Sequence, residues 1–365
     1  MAARGSIRRL TLAALAGALA LAGASCGGHS HAVSAATPAV PELTVRTGAA
    51  FRVGLVAGVG GTKELAYRAL GGQGLRRAAR ELGVEARVVT AHSRGEAARR
   101  LAELAAQGYD LVLASGAAPV AAVDAVAQRY PGVRFALVDA SRESLPSRPR
   151  NVNGLRFAEQ EAGYLAGYLA GLVSRAAAGS QQAVGSVGGA RTPAVDRYLG
   201  GFQAGARAAD PKLTVLNAYA GGFRDPAKCK ELALDEIAQG AGVIFPVAGR
   251  CGTGALAAAR ERSVWGIGVD VDASPLGGHV LTSAVKRIDV AVFLTVEAVR
   301  DGRVAGGRDV VFGVGSGGVG LGAISRQVPA DLVARVKRVQ DALAAGRIAG
   351  IPTAPTAEHR RIRPQ

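Results

Sequence analysis

From residue 51 onward, the hydrophobic positions follow two alternating patterns. Short runs of consecutive apolar residues are followed by stretches in which apolar residues recur at helical spacing. Continuous apolar runs are typical of strands that are buried on both faces of a parallel sheet. The first elements predicted in this way are strand 51–56, helix 63–82, strand 85–90, helix 94–107, strand 111–115, helix 120–130 and strand 134–139.

The same alternation then restarts with a helix near residue 158. Its elements are helix 158–174, strand 183–187, helix 193–209, strand 214–218, helix 226–238, strand 243–247, helix 252–261 and strand 264–269. Two doubly wound α/β lobes are the simplest interpretation. Three further elements complete no unit of their own, so we expect them to finish a lobe already begun. They are strand 281–284, helix 288–301 and strand 310–312. The chain would then cross between the lobes more than once, near 140–156, 270–282 and 312–325.

These patterns predict two lobes built from discontinuous segments, flanked by accessory segments at both ends. A final amphipathic helix precedes a proline-rich basic tail, which we expect to be frayed. The predicted boundaries are a signal peptide at 1–25, a tether at 26–49, a first lobe at 50–152 plus about 282–312, a second lobe at 153–281 plus about 313–330, a C-terminal helix at 331–350 and a tail at 351–365.

The N-terminus has the pattern of a lipoprotein export signal. Arg4, Arg8 and Arg9 precede the apolar run 10–21, and small residues lead to Cys26. We therefore expect an exported protein that is anchored to the outer face of the cell membrane by a lipid on Cys26. The alternative is plain secretion, with Cys26 a bystander of the cleavage site.

Charge and aromatic content narrow the possible partners. The formal net charge is +16, but the excess arginines are scattered and aromatic residues make up 4% of the chain. Nucleic-acid binding would favour a basic stripe interleaved with aromatics, so we predict no nucleic-acid partner. The five histidines are dispersed, which gives no support to a metal site, and no cofactor is predicted.

Five motifs occur in order along the chain. They are FAEQEAGYLAG (157–167), GFQAG (201–205), GFRDPAK (222–228), IGVD (267–270) with Asp272, and LTSAVKR (281–287). Together they resemble the basic membrane protein (Bmp/PnrA-like) family of ABC-transporter substrate-binding lipoproteins, and the likeness extends from about residue 51 to residue 352. The resemblance implies a type I periplasmic-binding-protein fold, with two lobes joined by a multi-crossing hinge. The best-known members of the family bind purine nucleosides between the lobes.

Charged residues after the predicted strands are the candidates for binding a sugar. Asp270 matches the family's ribose-binding acid, and Lys286 matches the lysine beside it, which would keep Asp270 ionised. The alternative for this pair is a hinge salt bridge without ligand contact. Asp139 matches the family's acid after the last strand of the first lobe, and its alternative role is a cap or turn.

Aromatic residues are the candidates for stacking on a base. Tyr67 aligns with the family's base-stacking Phe, and Phe245 is the predicted opposite face, with Phe223 as its competitor. Both Tyr67 and Phe245 could instead be core residues. Around Tyr67 this chain departs from the family pattern. Glu64 stands where the family usually has Asp or Asn, and Arg68 stands where the family usually has Asn. These two positions therefore do not support purine specificity.

The two remaining cysteines begin helices in adjacent units. In an oxidising compartment we predict a disulfide between Cys229 and Cys251, which would brace a ligand-facing turn that includes Gly252. Two separate buried thiols are the alternative.

The predicted function is that of a substrate-binding lipoprotein, which closes on a small ligand and presents it to an ABC permease. An extracytoplasmic ligand sensor shares the fold. An exported nucleoside-processing enzyme would need an oriented base or nucleophile, and no histidine follows any predicted strand, so we predict that the protein is not an enzyme.

Overall fold

The computed structural model describes residues 50–58, 62–176 and 183–356. The predicted signal peptide, the lipidation site Cys26 and the tether therefore lie outside the described residues, as does the predicted tail beyond residue 356.

Strands and helices alternate through the described chain. The strands are β1 (Arg52–Gly58), β2 (Glu85–Ala91), β3 (Leu111–Ser115), β4 (Arg134–Val138), β5 (Val152–Phe157), β6 (Ala183–Gly188), β7 (Thr214–Tyr219), β8 (Ala241–Val247), β9 (Trp265–Asp270), β10 (Val280–Lys286), β11 (Asp309–Phe312) and β12 (Val319–Leu321). The helices are α1 (Thr62–Leu82), α2 (Arg94–Ala106), α3 (Ala117–Arg129), α4 (Glu159–Ala176), α5 (Pro193–Ala209), α6 (Pro226–Ala238), α7 (Gly252–Glu261), α8 (Ile288–Arg300) and α9 (Ala330–Ala344).

The strands form two sheets with equivalent topology. The first sheet has the order β11-β5-β4-β3-β1-β2 and the second has the order β12-β10-β9-β8-β6-β7. All neighbouring strands are parallel except β12, which runs antiparallel to β10. This architecture confirms the predicted fold class of two doubly wound α/β lobes.

The boundaries between the lobes differ from the predicted ones. β5 belongs to the first sheet and β10 to the second, so the chain crosses at Ala158 and Arg287, and a third time between Phe312 and Val319. The predicted first lobe ended too early, at residue 152, and its second segment began too early, at residue 282. The strands β5 and β12 were not predicted, because their Asn and Gly residues read as turns rather than as strands.

Glycines set the close packing of α4 on α5. A Cβ on Gly163 or Gly167 would come within 2.2 or 2.0 Å of the Tyr198 or Phe202 carbonyl oxygen, and a Cβ on Gly201 would come within 2.0 Å of the Gln160 carbonyl oxygen. The two helices therefore touch backbone to backbone, which fixes the position of Tyr198 and its neighbours on α5.

Among the described residues, no helix is long and apolar enough to span a membrane.

The segment 351–356 is held against α5 rather than frayed as predicted. The amide of Thr356 donates to Oε1 of the buried Gln203 over 3.0 Å, and the Ala354 backbone lies against Gly200. Because Gly200 has no side chain, this part of the tail can lie directly on the helix.

Candidate functional site

The carboxyl ends of the two sheets meet at Lys286. This residue ends β10 of the second lobe, and its Nζ lies 2.8 Å from Oδ1 of Asp139, which directly follows β4 of the first lobe. Ligands of open parallel sheets bind beyond the carboxyl ends of the strands, so this junction marks the floor of the candidate site.

Lys286 is a buried cation that is surrounded by carboxylates. Its Nζ also lies 2.9 Å from Oε1 of Glu159, and the side chain is 1% exposed. Burial alone would lower the pKa of the ammonium, but the attraction of Asp139, Glu159 and Asp270 outweighs burial and raises that pKa above its ordinary value. Lys286 therefore stays charged and joins the two lobes.

This arrangement adds two partners to the predicted pairing of Lys286 with Asp270. The attraction of Asp270 contributes to the raised pKa of Lys286, and Lys286 makes ion pairs of 2.8 and 2.9 Å with Asp139 and Glu159. Asp270 also accepts a hydrogen bond from the Tyr198 hydroxyl, over 3.3 Å. Burial raises the pKa of Tyr198 well above its ordinary value, so this hydroxyl remains a neutral donor.

Two acidic residues in the first turn of α4 were missed as site residues. Glu159 binds Lys286 at one crossing and Arg197 of α5, the latter at 2.6 Å. Glu161 accepts a hydrogen bond of 2.6 Å from the backbone amide of Val314, at the third crossing. Acids at a helix start complement its dipole, so their sequence position had an ordinary explanation that concealed the hinge role.

Asp139 and Asp270 occupy equivalent positions in the two lobes. Each lies at the carboxyl end of the fourth strand of its lobe, and each has a positive φ, of 60° and 65°. Non-glycine residues seldom adopt this conformation, and it persists at sites where the surrounding structure requires it. Both carboxylates therefore lie at strand ends, and their predicted contacts with a ligand stay predictions.

The two candidate aromatics of the second lobe lie in different surroundings. Phe245 is 0% exposed and packs in the core, with ring centroids 5.1 Å from Phe202 and 6.2 Å from Tyr198. Phe223 is 39% exposed, and its ring covers Gly189 at the end of β6, where a Cβ would come within 2.4 Å of it. Phe245 therefore has no face for a ligand, whereas its competitor Phe223 keeps a partly exposed ring beside the end of β6.

The turn beside Phe223 is braced by a covalent link. The structure contains a disulfide between Cys229 and Cys251, whose Cα atoms are 5.4 Å apart. The amide of Cys251 donates to the carbonyl of Phe223 over 3.0 Å, and Gly252 begins α7 as a buried residue. The disulfide thus ties the Phe223 loop and the Gly252 turn to adjacent helices.

The base-reading candidates of the first lobe lie in α1. The side chains of Tyr67 and Glu64 fall outside the described residues, so the predicted stacking role of Tyr67 stays a prediction. Arg68 is described and half-buried on the same helix.

The fold and these residues define a class of protein. Two α/β lobes meet at a three-strand hinge, and polar and aromatic groups line the carboxyl ends of the strands, as in two-lobed binding proteins that close on a small ligand. The chain belongs to the family described as Bmp, ABC transporter substrate-binding protein PnrA-like, whose profile matches residues 52–348. It is therefore an ABC-transporter substrate-binding protein.

Individual proteins show the same relationship. The chain is 30% identical over 257 residues to the CD4+ T-cell-stimulating antigen of Listeria monocytogenes, covering 66% of this chain and 70% of that protein. It is 32% identical over 234 residues to the ABC transporter nucleoside-binding protein BmpA of Lactococcus lactis, covering 59% of this chain and 64% of that protein. Among solved structures, an ABC transporter solute-binding protein from Conexibacter woesei is similar, with a TM-score of 0.67 and 28% sequence identity. The match covers 84% of this chain and 100% of that chain.

Proposed function

We propose that this substrate-binding protein binds a purine nucleoside between its lobes and delivers it, from a lipid anchor on Cys26, to an ABC permease. A nucleoside needs a hydrogen-bond acceptor for its ribose hydroxyls and an aromatic face for its base. The name of the Lactococcus lactis relative, a nucleoside-binding protein, supports the same ligand class.

The observation that carries the proposal is the spacing of Asp270 and Phe223. Asp270 ends β9, whereas the ring of Phe223 lies over Gly189 at the end of β6, two strands away in the order β9-β8-β6. Neighbouring strands lie about 4.8 Å apart, so the ends of β9 and β6 are roughly 10 Å apart across the sheet. A nucleoside has about this reach, with its sugar on Asp270 and its base on Phe223.

The test is a double-mutant cycle between Asp270 and the ligand hydroxyl. Calorimetric titration would compare adenosine with 2′-deoxyadenosine on the parent and on Asp270→Asn. We expect the parent to lose about 2 kcal/mol of binding free energy with the deoxy ligand, the scale of a hydrogen bond to a charged group, and the variant to lose little further.

The matched control is Asp341→Asn, which removes an exposed carboxylate on α9 and should leave both affinities unchanged. Additive losses in the cycle would remove Asp270 from the sugar site. Failure of every purine nucleoside to bind the parent would refute the proposed ligand class.

The anchor is tested separately in cells. Metabolic labelling with a palmitate analogue should mark the parent and not Cys26→Ala, and an unlabelled parent would refute the anchoring.

A further inference from the structure

A cavity of about 240 Å³ lies in the first lobe between the second half of α8 and one face of the first sheet, and we call it the α8 cavity. Arg134, the first residue of β4, lines it, whereas Asp139 directly follows the last residue of the same strand. At about 3.3 Å per residue, these two positions are roughly 16 Å apart along the strand. The α8 cavity is therefore separate from the candidate site at the junction of the lobes.

The apolar wall of the α8 cavity follows from the register of the strands. Leu155 of β5 is opposite Val310 of β11, and Phe312 shares the face of Val310 because residues two apart on a strand point the same way. Leu294 and Ala298 of α8 line the cavity from the helix side. An apolar cavity of about 150 Å³ is enough to hold benzene, so the α8 cavity has room for a single aromatic ring with a short substituent.

Arg134 is a cation without a carboxylate partner in the part of the chain that the structure describes. Its side chain is half-buried, and its Nη1 atom lies against Gly306, where a Cβ would collide with it. The other charged residues that line the cavity are paired with each other, since Nη2 of Arg303 lies 2.8 Å from Oε2 of Glu297. The cavity thus combines apolar walls with one uncompensated guanidinium.

The loop after α8 holds that guanidinium in place. The buried Asn153 donates from Nδ2 to the Ala305 carbonyl over 3.0 Å, and the amide of Gly307 donates to the Val152 carbonyl over 3.0 Å. These two bonds fix the backbone on both sides of Gly306 against β5. Arg134 is therefore positioned by the fold and not by an ion pair.

The chemistry of this cavity defines its ligand. A guanidinium binds a carboxylate through two parallel hydrogen bonds, and the apolar walls favour a ring over a polar body. We propose that the α8 cavity binds a compact apolar monocarboxylate, of the size of a single-ring aromatic acid, with its carboxylate on Arg134.

The experiment is calorimetric titration of the full mature protein at neutral pH with 3-phenylpropionate and with its neutral counterpart 3-phenylpropanamide. We expect the acid to bind with a Kd below about 1 mM and at least about tenfold more tightly than the amide, the scale of a hydrogen bond between charged groups.

Three variants assign the binding to this cavity. Arg134→Gln should reduce the preference for the acid over the amide to within about twofold, because the charged donor is lost. Ala298→Leu fills the space beside α8 and should weaken the binding of both compounds. Arg129→Gln removes an exposed arginine from the last turn of α3 in the same lobe and should leave both affinities unchanged. Thermal unfolding of each variant checks that the lobe is folded.

Several outcomes would overturn this inference. They are a Kd of the acid above about 1 mM, equal binding of the acid and the amide, a preference that survives in Arg134→Gln, and affinities that Ala298→Leu leaves unchanged. The inference does not rest on the proposed nucleoside, because the two sites share no residue. Failure of every purine nucleoside to bind would refute the proposed function and leave the α8 cavity as a ligand site.

Discussion

Replacing Lys286 with methionine would remove an ammonium that is bonded to two carboxylates while keeping most of the aliphatic volume. The Nζ atom lies 2.8 Å from Asp139 and 2.9 Å from Glu159, and the side chain is 1% exposed. Removing the ammonium from such a buried network leaves two carboxylates without the charge that balanced them. The variant should therefore be strongly destabilised.

The magnitude follows from the surroundings of the two carboxylates. Glu159 keeps its 2.6 Å ion pair with Arg197, so part of its charge remains compensated. Asp139 loses its contact across the lobes. Breaking a buried ion pair typically costs about 3–5 kcal/mol, and we expect Lys286→Met to fall in that range.

The assay is urea denaturation of the parent and variants at neutral pH, with the free energy of unfolding extrapolated to water. Lys212→Met, on an exposed loop residue, is the matched control and should change stability by less than about 0.5 kcal/mol. The double variant D139N/K286M removes both charges of the pair across the lobes and keeps the ion pair of Glu159 with Arg197, so it should regain much of the loss.

A loss below about 1 kcal/mol for Lys286→Met would refute this reasoning, since it would mean that the carboxylates find equivalent partners without the lysine. A double variant D139N/K286M as unstable as the single one would also contradict it, because the loss would then arise from packing rather than from charge.

Three further predictions concern single groups of the second lobe. Non-reducing mass spectrometry should find a peptide pair linking Cys229 and Cys251, and reduction should lower the free energy of unfolding by about 3 kcal/mol in the chain-entropy estimate for this loop; two freely alkylated thiols would contradict it. Burial raises the pKa of Glu236 well above its ordinary value of 4.5, so the stability that it contributes is present at low pH and is lost as pH rises toward the folded-state pKa. In chemical denaturation across pH, the free energy of unfolding of Glu236→Gln should rise relative to that of the parent as pH rises. A difference between the two proteins that does not change with pH would refute this. Phe223→Ala should weaken nucleoside binding at nearly unchanged stability, whereas Phe245→Ala should cost about 3–5 kcal/mol of stability, and the reverse pattern in titration and denaturation would restore Phe245 as the stacking face.

Sequence predicted the helices best where caps and prolines mark their starts. The bounds of α5 and α6 agree with the predicted 193–209 and 226–238, since Thr192 and Asp225 accept hydrogen bonds from the first turn and each is followed by proline. β5 carries Asn153 and Gly154, and β12 has three residues inside a glycine-rich run. Their pairing in the sheets comes from tertiary contacts that local patterns do not encode.

The partner of Lys286 shows where sequence reasoning about the site reaches its limit. The resemblance to the family placed Lys286 beside Asp270, and Asp270 does contribute to the raised pKa of Lys286. The closer contacts of Lys286 are its ion pairs with Asp139, which follows β4 of the other lobe, and with Glu159, which begins α4. These contacts depend on how distant segments of the chain meet at the junction of the lobes, and composition and spacing do not reveal them.

Phe245 and Phe223 show the same limit for aromatic residues. β8 is buried along its whole length, so its apolar run does not distinguish a residue that faces the core from one that faces a ligand. Phe223 follows β7 in a loop with two glycines before it, and such loops at the carboxyl edge are where parallel sheets place binding residues.

Asp139 and Asp270 lie at equivalent positions of the two lobes but have different partners. Both carboxylates end the fourth strand of a lobe with a positive φ, so the fold offers the same acidic position twice. At Asp139 the ammonium of Lys286 lies within ion-pair distance, and the carboxylate contributes to joining the lobes. At Asp270 the hydrogen-bond donor is the neutral hydroxyl of Tyr198. The lysine on β10 thus ties Asp139 directly to the junction of the lobes, and this difference is why we propose Asp270, rather than Asp139, as the acceptor for ligand hydroxyls.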